Sequence, residues 1–198
     1  MGDKSVRKKQ YILEKAREVF SQKGYKDVTM KDIVDACDIS RGGLYLYFES
    51  TRQLFMEILQ KEQEGDDIFS GKISENSTAA EILVLFLVEQ KKEIIRKRNS
   101  LTKAIYEFYF QERPEKKEDI YRQDYDSAVK ILQKVIEMGV ANGELTCDKP
   151  EEAATNIMLT LEGLKVQSVT IGISAELIDK QFIYILSTLG VEDESDNA

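Results

Sequence analysis

A cation, two adjacent glycines, an apolar side chain and a phenol lie within one short segment, at Arg41, Gly42, Gly43, Leu46 and Tyr47. A guanidinium and a tyrosine hydroxyl supply hydrogen-bond donors that suit base edges and phosphate oxygens. Two residues without side chains let the backbone approach another surface closely. These residue types therefore favour contact with a nucleic acid over exposure to bulk solvent.

The preceding residues predict two short helices joined by a tight turn over residues 29–48, which is the layout of a helix-turn-helix. Thr29 and Asp32 have the spacing of a capping box at the start of the first helix. Asp38 tolerates the left-handed conformation that suits the turn, and Ser40 is a good N-cap for the second helix. The first helix carries apolar residues at i, i+3, i+4 and i+7: Met30, Ile33, Val34 and Cys37.

The second helix is predicted to pack inward through Leu44, Tyr45 and Phe48. Ser50 and Gln53 then repeat the capping-box spacing at the start of a further helix. Capping boxes and apolar stripes are common, so these patterns alone also fit three packed helices without any binding role. The exposed set at residues 41–47 favours the nucleic-acid interpretation.

Residues 9–60 resemble the DNA-binding domain of the TetR family of bacterial transcriptional regulators. This resemblance implies a homodimer that binds a palindromic operator, usually represses transcription, and releases DNA when a small molecule binds the C-terminal domain. The matching residues occur in order and in register: Ile12, Ala16, Phe20, Lys23, Gly24, Tyr25, Thr29, Asp32, Ile33, Ala36, Ile39, Ser40, Gly42, Leu44, Tyr45, Tyr47, Phe48, Leu54 and Phe55.

The resemblance also implies roles for individual residues. The family usually has lysine at the start of the fourth helix, where this chain has Thr51 followed by Arg52, so that phosphate contact is weakened or moved to Arg52. Asp38 replaces the usual glycine of the turn, which the backbone tolerates. The residues expected to face bases are Arg41, Gly42, Gly43 and Leu46. The residues expected to hold phosphates are Thr29, Ser40, Tyr45, Tyr47 and Thr51.

The rest of the chain also favours an all-α fold of about nine helices. Two prolines and 11 glycines in 198 residues leave long stretches that can be helical. We expect a three-helix helix-turn-helix domain at 1–50, a helical bundle for ligand binding and dimerisation at 51–190, and a disordered acidic tail at 191–198. Residues 161–164 resemble the penultimate helix of many TetR-family ligand domains.

The net charge of −8 is unevenly distributed. Residues 1–61 carry 12 lysines and arginines against nine acidic residues, giving +3, whereas residues 62–198 carry 16 against 27, giving −11. Excess positive charge is thus confined to the segment that resembles a DNA-binding domain. A basic cluster at Lys4, Arg7, Lys8 and Lys9 is either a solvated flank or an arm that contacts phosphates, and its position favours the arm.

Several classes of function are disfavoured. The chain has no histidine, which removes histidine metal sites and the commonest general base. Because no phosphate loop or nucleophile–base pair is visible either, we expect no enzyme, metal or cofactor. Cys37 and Cys147 match no motif and fit a reduced cytoplasm. The N-terminus lacks the apolar region of a secretory signal, and the longest apolar run, residues 82–88, is too short to cross a membrane.

Aromatic residues are concentrated in the predicted bundle, where they either form ordinary core or line a pocket for a small hydrophobic ligand. Glu107, Asp124 or Glu162 is a possible partner for a cationic group on that ligand. The candidate lining residues are Phe86, Tyr106, Phe108, Tyr109, Phe110, Tyr121 and Tyr125.

Dimerisation is assigned to the last two predicted helices, 150–172 and 175–189, whose small and aliphatic residues suit a four-helix bundle with a second copy. The alternative is that these residues serve only the intramolecular core. An alternative for the whole chain is a helical protein that binds a small molecule and has lost or weakened its DNA binding. An enzyme or carrier on a helical bundle is the least favoured interpretation.

Overall fold

The computed structural model describes residues 3–65, 74, 76–96 and 100–191, and the regular structure within these ranges is entirely helical. This confirms the predicted all-α class. The predicted disordered tail lies outside the described residues except for Val191. The α-helices are α1 (Asp3–Lys23), α2 (Met30–Cys37), α3 (Arg41–Tyr45), α4 (Thr51–Gly65), α5 (Ala79–Ile95), α6 (Thr102–Glu112), α7 (Ile120–Ala141), α8 (Pro150–Thr170) and α9 (Ala175–Thr188), and a 3₁₀ turn (Lys116–Glu118) precedes α7.

The chain divides into two packing units. The first contains α1 to α4 together with α6, and the second contains α5, α8, α9 and α7 from Tyr121 onward. The predicted functional division after residue 50 stays a prediction, and the packing units differ from it because α4 and α6 pack with the N-terminal helices. Such long-range packing is not visible in local sequence patterns.

Four interlocked aromatic rings form the centre of the first unit. The rings of Phe20 and Phe55 lie 4.7 Å apart between centroids, and those of Tyr25 and Phe108 lie 4.9 Å apart in an edge-to-face arrangement. All four side chains are buried. Each such aromatic pair contributes about 0.5–1.5 kcal/mol beyond simple burial. Phe108 of α6 thus belongs to the same core as the buried residues of α1 and α4.

The second unit packs α5 against α8 and α9. Leu83, Phe86 and Leu87 of α5 are buried, whereas Val84 and Val88 are exposed. The nearly continuous apolar run 82–88 predicts a helix buried on most sides, and the structure leaves one face of it exposed at these two valines. An ion pair between Lys91 Nζ and Asp179 Oδ1, 2.5 Å apart, joins α5 to α9.

Helix starts follow the sequence signals. Thr78 caps α5, since Thr78 Oγ1 accepts the Glu81 N–H at 3.1 Å and Glu81 Oε2 accepts the Thr78 N–H at 2.9 Å. Pro150 occupies the first turn of α8, where its missing N–H costs nothing. Across the described residues, no helix combines the length and the apolar character that crossing a membrane requires.

Candidate nucleic-acid interface

The α2 helix begins with the predicted capping box. Asp32 donates its N–H to Thr29 Oγ1 at 3.3 Å, and Asp32 Oδ2 accepts the Thr29 N–H at 2.8 Å. The Lys23 ammonium, 2.5 Å from Asp32 Oδ1, and then the Thr29 hydrogen bonds hold the pKa of this carboxyl well below its usual range. A carboxylate that stays ionised keeps the helix start satisfied and links it to the end of α1.

The turn between α2 and α3 has the predicted geometry. Asp38 adopts the left-handed conformation with φ of 50° and ψ of 48°, and its N–H returns to the end of α2. Ser40 is extended, and its Oγ accepts the Gly43 N–H at 3.1 Å. These local contacts set the direction in which α3 leaves the turn.

The outward surface of α3 carries the side chains predicted to face bases. Leu46, directly after α3, is 83% exposed, and Arg41 is exposed with its guanidinium 5.5 Å from the Tyr45 ring centroid. A side chain added at Gly42 would meet nothing within 4 Å, so the backbone there is open to an approaching partner. Gly43 is tighter, since an added Cβ would lie 3.1 Å from Ser40 Oγ.

Three residues predicted to point inward separate into two groups. Leu44 and Phe48 are fully buried in the first unit, as predicted, but Tyr45 is 41% exposed. The inward assignment of Tyr45 is therefore wrong, because the short α3 turns it onto the outer surface beside Arg41. That location agrees with the separate expectation of a phosphate contact. Tyr47 is half-buried, and its hydroxyl accepts a hydrogen bond from Ser5 Oγ at 3.5 Å.

The start of α4 carries the remaining predicted phosphate contacts, and Thr51 there is half-buried. Arg52 Nη2 lies 3.0 Å from Glu118 Oε2, and Arg52 Nε lies 3.6 Å from Glu112 Oε2. A phosphate would have to compete with two carboxylates for this guanidinium. Only half of the capping box predicted here forms as expected. Gln53 donates its N–H to Ser50 Oγ, but the side-chain oxygen of Gln53 accepts the N–H of Glu49 instead of that of Ser50.

Two carboxylates of α6 support this surface, a role that sequence reasoning gave to neither: it named Glu107 only as a partner for a ligand cation and did not single out Glu112. Glu107 Oε2 accepts the N–H groups of Tyr25 at 2.8 Å and Lys26 at 3.2 Å, which fixes the turn between α1 and α2. The Tyr25 hydroxyl donates to Glu112 Oε1 at 2.7 Å, and burial, followed by this bond, raises the Tyr25 pKa. These partners are more than 80 residues apart in sequence, so no local pattern could have indicated them.

The predicted pocket residues do not belong to a single packing unit. The first unit holds four of them on α6: Tyr106, Phe108, Tyr109 and Phe110. Phe108 is buried in the core and Tyr109 packs against it, whereas Phe110 is 81% exposed. The remaining ones belong to the second unit: Phe86, Tyr121, Tyr125 and Glu162.

Within the second unit, Phe86 is buried and Tyr125 packs against the same core. The Tyr121 hydroxyl donates to Glu162, whose other oxygen lies 3.1 Å from Lys165 Nζ. Glu162 thus already has a cationic neighbour. An open depression of about 380 Å³ runs along α8, but its lining residues belong to a different set: Glu151, Glu152, Thr155, Asn156 and Leu159. Within the described ranges, no group of acidic and cysteine side chains has the arrangement of a metal site.

The fold and this surface define a helix-turn-helix transcriptional regulator. Residues 12–58 match the model of bacterial regulatory proteins of the tetR family, and residues 82–179 match that of the tetracyclin repressor-like C-terminal domain. The chain belongs to the TetR family.

A bacterial regulator and two solved structures are similar to this chain over most of its length. The uncharacterized HTH-type transcriptional regulator YfiR of Bacillus subtilis is 27% identical over 158 residues, covering 79% of this chain and 77% of YfiR. The crystal structure of a TetR transcriptional regulator from Chloroflexus aurantiacus is 18% identical, with a TM-score of 0.77 over 94% of this chain and 96% of that one. AibR in complex with isovaleryl coenzyme A and operator DNA is 14% identical, with a TM-score of 0.68 over 94% of this chain and all of its own.

Proposed function

We propose that this regulator is a cytoplasmic repressor, which binds a palindromic operator as a homodimer and leaves it when a small hydrophobic ligand binds. The observation that carries the DNA-binding part is the exposed surface of α3 and the residue after it, where Arg41, Gly42 and Leu46 are exposed while Leu44 is fully buried. In the major groove, an arginine that donates hydrogen bonds to guanine and an apolar side chain that packs against a thymine methyl would discriminate between sequences.

A palindrome requires two reading helices about 34–36 Å apart, or a multiple of that spacing, which one chain cannot supply. The second unit has an apolar surface suited to a second copy. On α8, Leu159, Gly163 and Val166 follow each other at helical spacing, and a side chain at exposed Gly163 would meet nothing within 4 Å. Several large apolar side chains are exposed on α8, on α9 and at the residue that follows α8: Leu159, Val166, Val169, Ile171, Leu177, Ile183 and Tyr184. Pairing of these helices as a four-helix bundle would cover them.

The ligand part of the proposal rests on the second unit. Phe86, Tyr121 and Tyr125 bring aromatic surface to this unit, and Glu162 adds a carboxylate. The likeness in fold to AibR, which was crystallised with isovaleryl coenzyme A, supports a regulator that responds to an organic ligand. Release would follow if the ligand stabilises a conformer in which the two α3 helices no longer match the half-site spacing.

Selection of bound duplexes from a random pool tests the DNA-binding part. We expect a palindrome to be enriched by the wild-type chain, and the same selection with Arg41→Ala to give a weaker and more degenerate motif. Lys134→Gln, an exposed cation on α7, serves as a control that should return the wild-type motif. Failure of the wild-type chain to enrich any palindrome would contradict the proposal. The position of the operator relative to a promoter then distinguishes a repressor from an activator.

The alternative function is a ligand-binding relative with lost or weakened DNA binding. The observation in its favour is the start of α4, where Thr51 replaces the family's usual lysine and Arg52 is held by Glu112 and Glu118. A screen by dye displacement with hydrophobic cations, antibiotics and acyl compounds separates the two functions. Ligand binding without any enriched DNA would favour the alternative, and both together would favour the repressor.

A further inference from the structure

The first three turns of α1 contact residues that precede and follow α3 in the chain. Ser5 Oγ donates to the hydroxyl of Tyr47, which follows α3, at 3.5 Å. The Tyr11 hydroxyl donates to the Cys37 carbonyl at the end of α2, just before the turn into α3, also at 3.5 Å. These two contacts attach the stretch of α1 between Ser5 and Tyr11 to the helix-turn-helix, at the end of α2 and just after α3.

The four cations of the basic cluster are not equivalent in this position. Lys4 and Lys8 precede Tyr11 by seven and three residues, so all three share one flank of α1. Both lysines are exposed, and neither forms an ion pair with a described residue. That flank is the one whose Tyr11 reaches the end of α2.

The other two cations have partners inside the unit. Lys9 Nζ lies 2.6 Å from Glu57 Oε1 and 5.5 Å from the Phe48 ring centroid, so it joins α1 to the core and to α4. Arg7 Nη2 lies 2.8 Å from Asp3 Oδ2. Arg7 precedes Tyr11 by four residues and so also borders this flank, but it lies farther than Lys4 and Lys8 from the side of Ser5 and Ile12 on which α1 packs. Of these four cations, only Lys4 and Lys8 thus combine exposure, a position on the flank of Tyr11 and a charge without an ion-pair partner among the described residues.

We propose that Lys4 and Lys8 form a second contact surface for DNA, which binds the phosphodiester backbone beside the bases that α3 reads. This inference rests on the proposed function. An ammonium is a compact point charge that suits a phosphate without demanding the fixed geometry of a base edge. The surface therefore adds affinity and salt dependence to every sequence, and leaves discrimination between bases to α3.

The salt dependence of binding tests this surface directly. Each phosphate contact contributes about 0.9 to the slope of log affinity against log salt concentration. Because a dimer on a palindrome carries every residue twice, Lys4→Gln and Lys8→Gln should each lower the slope by about two. Affinity is measured on the duplex that the wild-type chain selects and on an unrelated duplex of equal length, at several salt concentrations.

Two variants with the same loss of charge make the test specific. Arg7→Gln removes the paired cation of α1 and should lower the slope by less than either lysine variant, since Arg7 is already paired with Asp3 and lies farther from the packed side of α1. Lys134→Gln on α7 controls for net charge and should leave the slope unchanged. The proposal also requires that Lys4→Gln and Lys8→Gln weaken binding to both duplexes and leave the selected motif unaltered.

Three results would overturn the inference. An unchanged slope in both lysine variants would remove them from the DNA surface. An equal fall in Lys134→Gln would mean that only net charge matters, and an altered motif would assign the lysines to base contacts. Each of these presupposes that the wild-type chain selects a palindrome, whereas absence of a palindrome defeats the proposed function itself.

Discussion

The two packing units differ in the kind of surface that each leaves exposed. The first unit buries Phe20, Tyr25, Phe55 and Phe108 together, and its exposed residues include Arg41, Gly42, Lys4 and Lys8. The second unit leaves apolar side chains such as Leu159 and Tyr184 exposed along α8 and α9. A charged, narrow surface suits a polyanion, whereas a broad apolar surface suits another protein surface of the same kind. The difference supports a division between reading DNA and pairing two chains.

The largest expected effect concerns the apolar surface of the second unit. Leu159→Asp places a charge on this surface and, in a symmetric dimer, removes apolar burial twice. At about 1.5–3 kcal/mol for each copy, the dimer should weaken by about 3–6 kcal/mol, or roughly 10²- to 10⁴-fold. Sedimentation equilibrium measures this directly. Ile131→Asp on α7 is a matched control, because Ile131 is also exposed but lies on neither α8 nor α9.

If Ile131→Asp dissociates the protein as strongly as Leu159→Asp, the proposed dimer surface is misplaced. If the wild-type chain sediments as a monomer at micromolar concentration, the apolar surface of the second unit does not pair two chains, and the proposed difference in role between the two units fails.

The next effect concerns the closed core of the first unit. Phe55→Ala removes a ring that contacts Phe20, Tyr25 and Phe108, and should lower the free energy of unfolding by about 3–5 kcal/mol. Phe110→Ala is the matched control, since the same substitution at an exposed ring should change stability by less than about 0.5 kcal/mol. Urea unfolding followed by circular dichroism measures both. Equal losses in the two variants would mean that the aromatic cluster does not hold this unit together.

The parts of the site that depend on neighbouring residues were predictable from the sequence. The capping box of Thr29 and Asp32, the left-handed Asp38 and the N-cap Ser40 all have the predicted geometry, because each involves residues at most three apart. Ser50 shows the limit of this reasoning. The box spacing is present, but Gln53 turns to the Glu49 N–H, and the sequence gives no sign of that choice.

Contacts between distant residues could not be predicted. Arg52 follows the position where the family places a phosphate-binding lysine, and only the fold brings Glu112 and Glu118 to its guanidinium. Similarly, the aromatic residues 106–125 are neighbours in sequence, yet Phe108 is core of the first unit, Phe110 is exposed, and Tyr125 packs in the second unit. Helical periodicity and the break between α6 and α7 separate them in space.

A smaller effect is expected on the DNA surface itself. Arg41→Ala should cost about 1–3 kcal/mol on the selected operator and relax discrimination at the contacted base pair. Fluorescence anisotropy with the operator and with single-base variants measures both quantities. Arg122→Ala, on α7 of the second unit, should bind like wild type. Equal weakening of Arg41→Ala on every sequence would instead assign Arg41 to a phosphate.

The smallest expected effect is a pH dependence at the α2 capping box. Hydrogen bonding to Lys23, then to Thr29, lowers the folded-state pKa of Asp32, whereas its unfolded value is about 4. Because the folded state binds the proton more weakly, the stabilisation is present above about pH 4 and is lost as pH falls towards the lowered pKa. Asp32→Asn should therefore cost on the order of 1 kcal/mol near neutral pH and progressively less below pH 4.

Asp35→Asn, on the exposed side of α2, removes the same charge without removing the capping box and should not reproduce this pH profile. Urea midpoints measured between pH 7 and pH 3 compare the three chains. A constant difference between Asp32→Asn and wild type across this range would show that the carboxylate charge contributes nothing, and that the start of α2 is held by neutral hydrogen bonds alone. The surface that presents α3 would then depend on packing in the first unit rather than on the ion pair between Lys23 and Asp32.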